Sequence, residues 1–384
     1  MEFDYAYSDF SEIRDVSVVE AREYGNGIIY DKLKTLLVQL GFDAGQYNGK
    51  KVVLKPNLLL KFAPERAATV HPSLVYAAGK IFREAGADVL LAESPGGPYT
   101  PGGLKSIYRT SGMEEAARAA GFELNFDTSF SEVKAEGGER SNHFEIINPI
   151  LEADLIVNLC KLKSHSMATM TAAVKNLFGV IPGTRKVEFH SRFPEHRDFA
   201  ASVVDLTSFI CRNKKVLSVC DAVIGMEGNG PSGGEPRNIG CLLASENPFA
   251  LDLLCAHIIG AENTVPMLEN AKKRGFTPDS IKGLRIIGND PAEFVIRDFR
   301  FPDTHKSNKL DFLPKFLQPH PEVNKKKCIG CGECARSCPQ KVITIENKKA
   351  RIALKNCIRC YCCQELCKPG AIKIHRSLIY RIVG

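Results

Sequence analysis

Eight cysteines toward the C-terminal end of this 384-residue chain carry its clearest chemistry. Cys328-x2-Cys331-x2-Cys334-x3-Cys338 recurs 29 residues on as Cys357-x2-Cys360-x2-Cys363-x3-Cys367. The text after each fourth cysteine recurs as well, CPQKVITIE and CKPGAIKIH, which marks an internal duplication. Each half reads as a cysteine loop, a short helix and a strand. Three thiolates two residues apart wrap one corner of an iron–sulfur cubane, and the fourth, further along, reaches the other cluster. The spacing therefore predicts two 4Fe-4S clusters, one on Cys328, Cys331, Cys334 and Cys367 and one on Cys357, Cys360, Cys363 and Cys338. Zinc is the competing ion, but its sites pair two short knuckles and have no use for the extra cysteines. Cys362 and the five scattered cysteines, Cys160, Cys211, Cys220, Cys241 and Cys255, read as ordinary buried thiols, with Cys160 near a crevice edge.

A second set of polar residues depends on the elements that hold it. Strands fit Val16–Val19, Lys51–Leu54, Asp88–Ala92, Leu155–Leu159, Val216–Cys220, Cys241–Ala244 and Leu284–Ile287. Helices fit Ile28–Leu40, Pro72–Ala85, Leu104–Ala120, Met167–Phe178, Phe199–Cys211, Ala250–Ile259 and Val265–Arg274. Apolar runs without strict alternation indicate strands buried on both faces. Their alternation with helices predicts an α/β body, a largely parallel sheet with helices on both faces. Ligands of such sheets bind beyond the carboxyl ends of the strands. Four strand ends carry Lys55 with Asn57, Glu93, Lys163 with His165, and Asp221 followed by Glu227, while Lys175 and Asn176 lie on the helix after the third. This mixture suits an anionic substrate and acid–base work. The expected binding residues are Lys55, Asn57, Glu93, Lys175 and Asn176; the expected catalytic ones are Lys163, His165, Asp221 and Glu227. The plainer reading is that loops are polar everywhere.

Two weaker signals accompany these. Gly228-x-Gly230-x-x-Gly233 formally matches a dinucleotide fingerprint, but Pro231 interrupts it and the strand-like IGCLLAS follows in place of a helix. A glycine loop that approaches an anion or acidic ligand is the reading left to it. His71, His165, His190 and His196 offer imidazoles for a mononuclear metal, without a tight spacing motif.

Composition bounds the remainder. Hydrophobic residues make up 44% and charged residues 25%, an ordinary globular balance that excludes disordered, collagenous and coiled-coil chains. The N-terminus has no apolar signal core and no run reaches the ~18 apolar residues of a spanning helix, so a soluble cytoplasmic protein with reduced thiols is expected. From His305 onward there are 17 Lys+Arg against 5 Asp+Glu, leaving 34 against 39 before it; the net +7 thus divides as +12 and −5. Two oxidised clusters with their thiolates carry about −2 each, which lowers the tail to roughly +8. Nucleic acid is disfavoured, because the basic stretch lacks interleaved aromatics and a recognition module. The expected domains are a body over 1–305, a proline- and lysine-rich linker over 306–322, and a cluster domain with its tail over 323–384.

The segments VVLKPNLL, TVHPSLVYAAGKIFREAGADVLLAESPGG, NLCKLKSHSMATMTAAVKNLFGVIPG and DAVIGMEGNGPSGGEPRNIGCLLAS together resemble the domain-of-unknown-function 362 family over about residues 15–300. Residues 322–376 resemble bacterial two-cluster ferredoxins, a module that family often carries. The resemblance implies iron–sulfur association and favours Lys55, Asn57, Lys163, His165, Lys175, Asn176, Asp221 and Glu227, with no reaction to carry over. The expected function is electron transfer, as an oxidoreductase that relays single electrons to an anionic small molecule or a partner at the crevice. Its partner would be an electron-donating or electron-accepting protein, an acidic one if it meets the basic tail. The alternatives are a non-enzymatic carrier or redox adaptor, and a redox-sensing ligand-binding protein. Substrate, donor and oligomeric state are not encoded legibly.

Overall fold

The computed structural model describes residues 9–97, 99–304 and 318–377. Fifteen strands run in chain order: β1 Asp15–Glu20, β2 Lys51–Pro56, β3 Asp88–Leu91, β4 Glu123–Leu124, β5 Phe130–Lys134, β6 His143–Ile147, β7 Leu155–His165, β8 Thr169–Thr171, β9 Lys215–Glu227, β10 Glu235–Ser245, β11 Arg285–Gly288, β12 His320–Val323, β13 Ile343–Glu346, β14 Lys349–Ile352 and β15 Ile372–His375. The helices are α1 Asn26–Leu40, α2 Pro72–Glu84, α3 Pro101–Thr110, α4 Met113–Ala120, α5 Asn148–Leu151, α6 Ala173–Leu177, α7 Arg185–Arg192, α8 His196–Asn213, α9 Pro248–Ile258, α10 Pro266–Lys273, α11 Glu333–Arg336 and α12 Cys362–Glu365.

The body is α/β. Its nine-stranded sheet runs β11-β1-β10-β9-β7-β2-β3-β4, with β8 paired to β7. Parallel pairings join β11 to β1 and link β9, β7, β2, β3 and β4 in turn. β10 is antiparallel to both neighbours, because the short 228–234 loop folds it back on β9 as a hairpin. One core packs α6, α8, α9 and α10 on one face of the sheet, and a second packs α1 and α2 on the other. The central strands are apolar on both sides for this reason, and every residue of β7 is buried.

Several expected boundaries move. β7 continues to His165 and β9 to Glu227, so the polar residues read as following strands lie on them. Of the helix expected over Met167–Phe178, Thr169–Thr171 instead pairs with β7 and only Ala173–Leu177 is α-helical. The helix expected over Leu104–Ala120 breaks at Gly112, whose φ of 78° ends regular helical geometry. The hairpin β5–β6 and helix α7 were not anticipated.

Two small antiparallel sheets build the C-terminal unit, β12–β15 and β13–β14. Strand β12, His320–Val323, lies partly within the stretch expected as linker. Residues 306–317 of that linker and the tail after 377 lie outside the described residues. Among the described residues no helix is long and apolar enough to cross a membrane.

Candidate functional site

The carboxyl end of the parallel strands opens into a cavity with about 490 Å³ of atom-free space. Its walls carry Lys55, Asn57, Glu93, Lys163, His165, Lys175 and Asn176. Seven of the nine body residues expected from sequence therefore meet, from β2, the turn after β3, β7 and α6.

A hydrogen-bond network fixes them. Lys55 Nζ donates to Glu93 Oε2 at 2.5 Å and to Asn176 Oδ1 at 3.3 Å. Asn176 also accepts from Asn57 Nδ2 and donates to Asn158 Oδ1, which ties α6 to the sheet. Lys163 Nζ donates to Asn57 Oδ1 at 2.8 Å and to the Ala68 carbonyl at 2.7 Å. Gly179 roofs the Lys55–Glu93 pair, and a Cβ there would lie 2.5 Å from the ammonium. Burial disfavours charge on both members of that pair, holding Lys55 low and Glu93 high, while each partner opposes the other's shift. The Lys175 ammonium lies 4.3 Å from the Phe178 ring centroid and 5.6 Å from that of Phe199. Burial lowers it too.

Two charged residues of the cavity lie outside the set expected from sequence. Lys186, on α7, donates to the Ile181 and Ser94 carbonyls at 2.6 and 2.7 Å. Glu365, on α12 of the C-terminal unit, enters from the opposite side, with Oε2 at 3.9 Å from His165 Nε2. Burial lowers Lys163 and Lys186 to about 7 despite the nearby Glu365 and Glu93. Burial raises Glu365, with the three lysines pulling the other way. His165 Nδ1 accepts from the Met167 and Ala168 amides at 3.1 and 3.3 Å, so the neutral ring carries its proton on Nε2, facing the cavity. Burial and neighbouring cations hold the imidazole well below its usual range. The Nε2–H of His165 is thus free to act as a hydrogen-bond donor on the cavity side. Four lysines face two carboxylates, one of them already paired, which suits a bound anion.

Asp221 and Glu227 lie elsewhere. Asp221 accepts from Lys161 Nζ and Tyr24 Oη, both at 2.8 Å, and from the His71 amide. A register shift between Lys161 and Lys163 on β7 gives the two lysines separate networks. Glu227 accepts from the Arg300 amide and guanidinium at 3.1 and 2.9 Å, anchoring the segment that leads out of the body. Both carboxylates hold chain segments in place.

The eight repeat cysteines line two hollows, each with about 340 Å³ of atom-free space that opens in part to solvent. Cys328, Cys331, Cys334 and Cys367 line one; Cys338, Cys357, Cys360 and Cys363 line the other. Apolar side chains complete both walls. The Ala350 and Ala371 amides donate to Cys328 and Cys367 sulfurs at 3.3 and 3.2 Å, as expected around thiolates that carry a cluster's charge. Among the described residues no three His, Cys, Asp or Glu side chains converge as a single ion would need. Four thiols around each hollow are a donor set that fits a cubane, and among the described residues the four histidines are not grouped as ligands of one ion. The five body cysteines are buried, and Cys160 hydrogen-bonds the Val219 carbonyl away from the cavity.

The glycine loop at 228–234 seats the C-terminal unit. Ser232 Oγ donates to the Glu365 carbonyl at 2.7 Å, and Gln364 Nε2 donates to the Asn229 carbonyl at 2.9 Å. A Cβ on Gly233 would lie 2.9 Å from Gln364 Nε2. The loop's bareness lets the C-terminal unit approach it closely.

The family described as "Domain of unknown function (DUF362)" matches residues 52–257. The chain belongs to this family. A "4Fe-4S dicluster domain" matches residues 320–368, so this DUF362 protein carries an iron–sulfur cofactor and an electron-transfer role. It is 30% identical over 319 residues to the thylakoid-associated protein sll1697 of Synechocystis, covering 80% of this chain and 93% of that one. A 57-residue stretch is 39% identical to RNA polymerase subunit Rpo3 of Methanosarcina mazei, covering 14% of this chain and 21% of the subunit. The lactate racemase apoprotein of Thermoanaerobacterium thermosaccharolyticum aligns with TM-score 0.38 and 14% identity, over 66% of this chain and 59% of that one. A Thermotoga maritima protein aligns with TM-score 0.36 and 12% identity, over 62% and 59%.

Proposed function

We propose that this DUF362 protein is an oxidoreductase that delivers single electrons, through two 4Fe-4S clusters, to a small anion held in the lysine-lined cavity. The carrying observation is the position of Glu365. It lies between the cluster cysteines Cys363 and Cys367, and its side chain stands in the same cavity as Lys163, Lys175 and Lys186. One void would hold a cluster on Cys328, Cys331, Cys334 and Cys367, the other a cluster on Cys338, Cys357, Cys360 and Cys363. When bound, such groups supply reversible one-electron transfer.

The chain's own residues do the rest. Lys163, Lys175 and Lys186 attract and orient the anion, and His165 donates from Nε2. Lys55 and Glu93 neutralise one another and hold Asn176, which positions Asn57 and through it Lys163. Lys163 and Lys186, both near 7, can release a proton to a reduced product at neutral pH, when a general acid works best. Asp221 and Glu227 keep structural roles. Fourteen cysteines without a disulfide accord with the reducing cytoplasm as its compartment.

The test is anaerobic purification followed by iron and sulfide analysis, low-temperature EPR and mass spectrometry of acid-released ligands. About eight irons and a small carboxylate or oxyanion are expected. Lys163→Met/Lys186→Met should lose the anion and keep the iron. Anion retention by that variant, or about four irons in the wild type, defeats the reading.

A further inference from the structure

We infer that electrons enter at an exposed face over the Cys328–Cys367 void, and that this face docks a small acidic one-electron carrier protein. The proposal rests on the proposed function in taking the cavity as the electrons' destination.

The two cysteine sets differ in what covers them. The turn carrying Cys363, with Tyr361, Cys362 and Gln364, is buried against its surroundings, and Gln364 and Glu365 bond the body. Of the other set, Cys328 and Cys334 are buried and Cys367 is half-buried. Cys331 is exposed. Ile329 is 68% and Ile345 38% exposed, and both also line that void, so one layer of side chains separates it from solvent.

Cations ring this apolar centre. Lys349 Nζ donates to the Cys328 carbonyl at 2.6 Å, and Arg336 donates to that of Cys331 at 3.1 Å. Exposed Lys348 packs its backbone against Gly330, and exposed Lys326 and Lys327 precede Cys328. The carboxylates nearby are already engaged: Glu333 pairs with Arg336 at 2.5 Å and Glu346 with Arg351 at 3.0 Å. An apolar centre inside a charged rim is the anatomy of a protein interface, and small ones serve transient electron transfer. Too few apolar side chains project here to enter a bilayer. Positive charge over the shorter path selects an acidic partner and speeds its encounter. With a 4Fe-4S group held by Cys328, Cys331, Cys334 and Cys367, the step served would be one-electron transfer, the carrier losing the electron that the group gains, with no bond made or broken.

Docking is tested by biolayer interferometry on the iron-loaded full chain, with both partners oxidised and an acidic two-cluster bacterial ferredoxin as probe. Affinity should fall about tenfold or more between ~50 and ~300 mM salt. Lys326→Glu/Lys348→Glu should weaken it about tenfold at low salt, and Ile329→Gln several-fold, with iron content unchanged. Lys163→Met, inside the cavity, should leave docking alone. Equal affinity for a basic cytochrome c, indifference to the face variants, or adsorption to phosphatidylserine vesicles with no ferredoxin binding overturns the proposal. Docking is read without turnover, so an empty cavity beside intact docking defeats the proposed function alone.

Discussion

The two halves of the cysteine repeat began as one text and now face different environments. With an offset of 29, Gly332 corresponds to Tyr361, Glu333 to Cys362, Ala335 to Gln364 and Arg336 to Glu365. The first half keeps small or charged residues, half-buried at Gly332, Glu333 and Ala335 and exposed at Arg336. In the second half the same turn is buried, carries Tyr361, two cysteines and Gln364 ahead of Glu365, and presses on the body's glycine loop. Gly332 and Tyr361 both adopt left-handed backbone, at φ 78° and 57°. Glycine does so freely, whereas Tyr361 is strained there and is held by burial and by an Oη bond to the Pro319 carbonyl at 2.8 Å. Arg336 points at solvent where Glu365 points at lysines. Duplication supplied the ligand spacing twice; what lies between the ligands decided which half docks inward.

The largest expected effect comes from crossing the halves at their ligands. Cys338→Ala sits in the first repeat by sequence but lines the second repeat's void. It should halve the iron from about eight to about four and remove the EPR signal of the buried site, leaving that of the exposed one. A variant that lost the exposed site's signal would break the crossed assignment.

Next in size, Lys163→Met should weaken small-anion binding about tenfold or more in calorimetry, the worth of a lost charged hydrogen bond. Anion affinity should also fall as pH rises through about 7, where Lys163 and Lys186 lose charge. Stability should move the other way. Lys163 binds its proton less tightly folded than unfolded, about 7 against 10.5, so between those values the unfolded chain holds more protons. Unfolding free energy therefore gains from this group as pH rises across that window. Denaturant melts at pH 7 and 9 check the sign on wild type against Lys163→Met, whose smaller slope isolates the lysine.

The turn itself can be exchanged. Tyr361→Gly relieves backbone strain but empties a buried ring site and should cost about 3 kcal/mol in denaturant melts. Gly332→Ala should cost only about 1 kcal/mol. Equal costs would erase the difference between the halves. The smallest effect is expected at the helix position they share: Glu365→Gln should strengthen anion binding a few-fold by removing a competing carboxylate, and Arg336→Gln should leave it unchanged.

Much of the body's cavity was legible because chemistry at the ends of buried strands is local. Lys55, Asn57, Glu93, Lys163 and His165 each follow or finish an apolar run, and a parallel sheet brings such ends together. Asp221 obeyed the same rule and went elsewhere. A register shift on β7 separates Lys161 from Lys163, and no spacing reveals which lysine will take the carboxylate. Lys186 escaped notice because α7, rich in charge, reads like a surface segment. Glu365 was invisible in principle, since its role exists only once one folded unit rests on another.

The sequence by itself determined the α/β class, the duplicated cysteine frame with its crossed reach, and the lysine-rich strand ends. All of these follow from spacing along a single element or its immediate turn. Only the tertiary structure decided which half of the cysteine repeat packs on the body, what the glycine loop seats, and which carboxylates join the lysines. Those outcomes depend on contacts between segments more than a hundred residues apart, such as Ser232 with Glu365 and His71 with Asp221. Local spacing carries no information about distances that only packing closes.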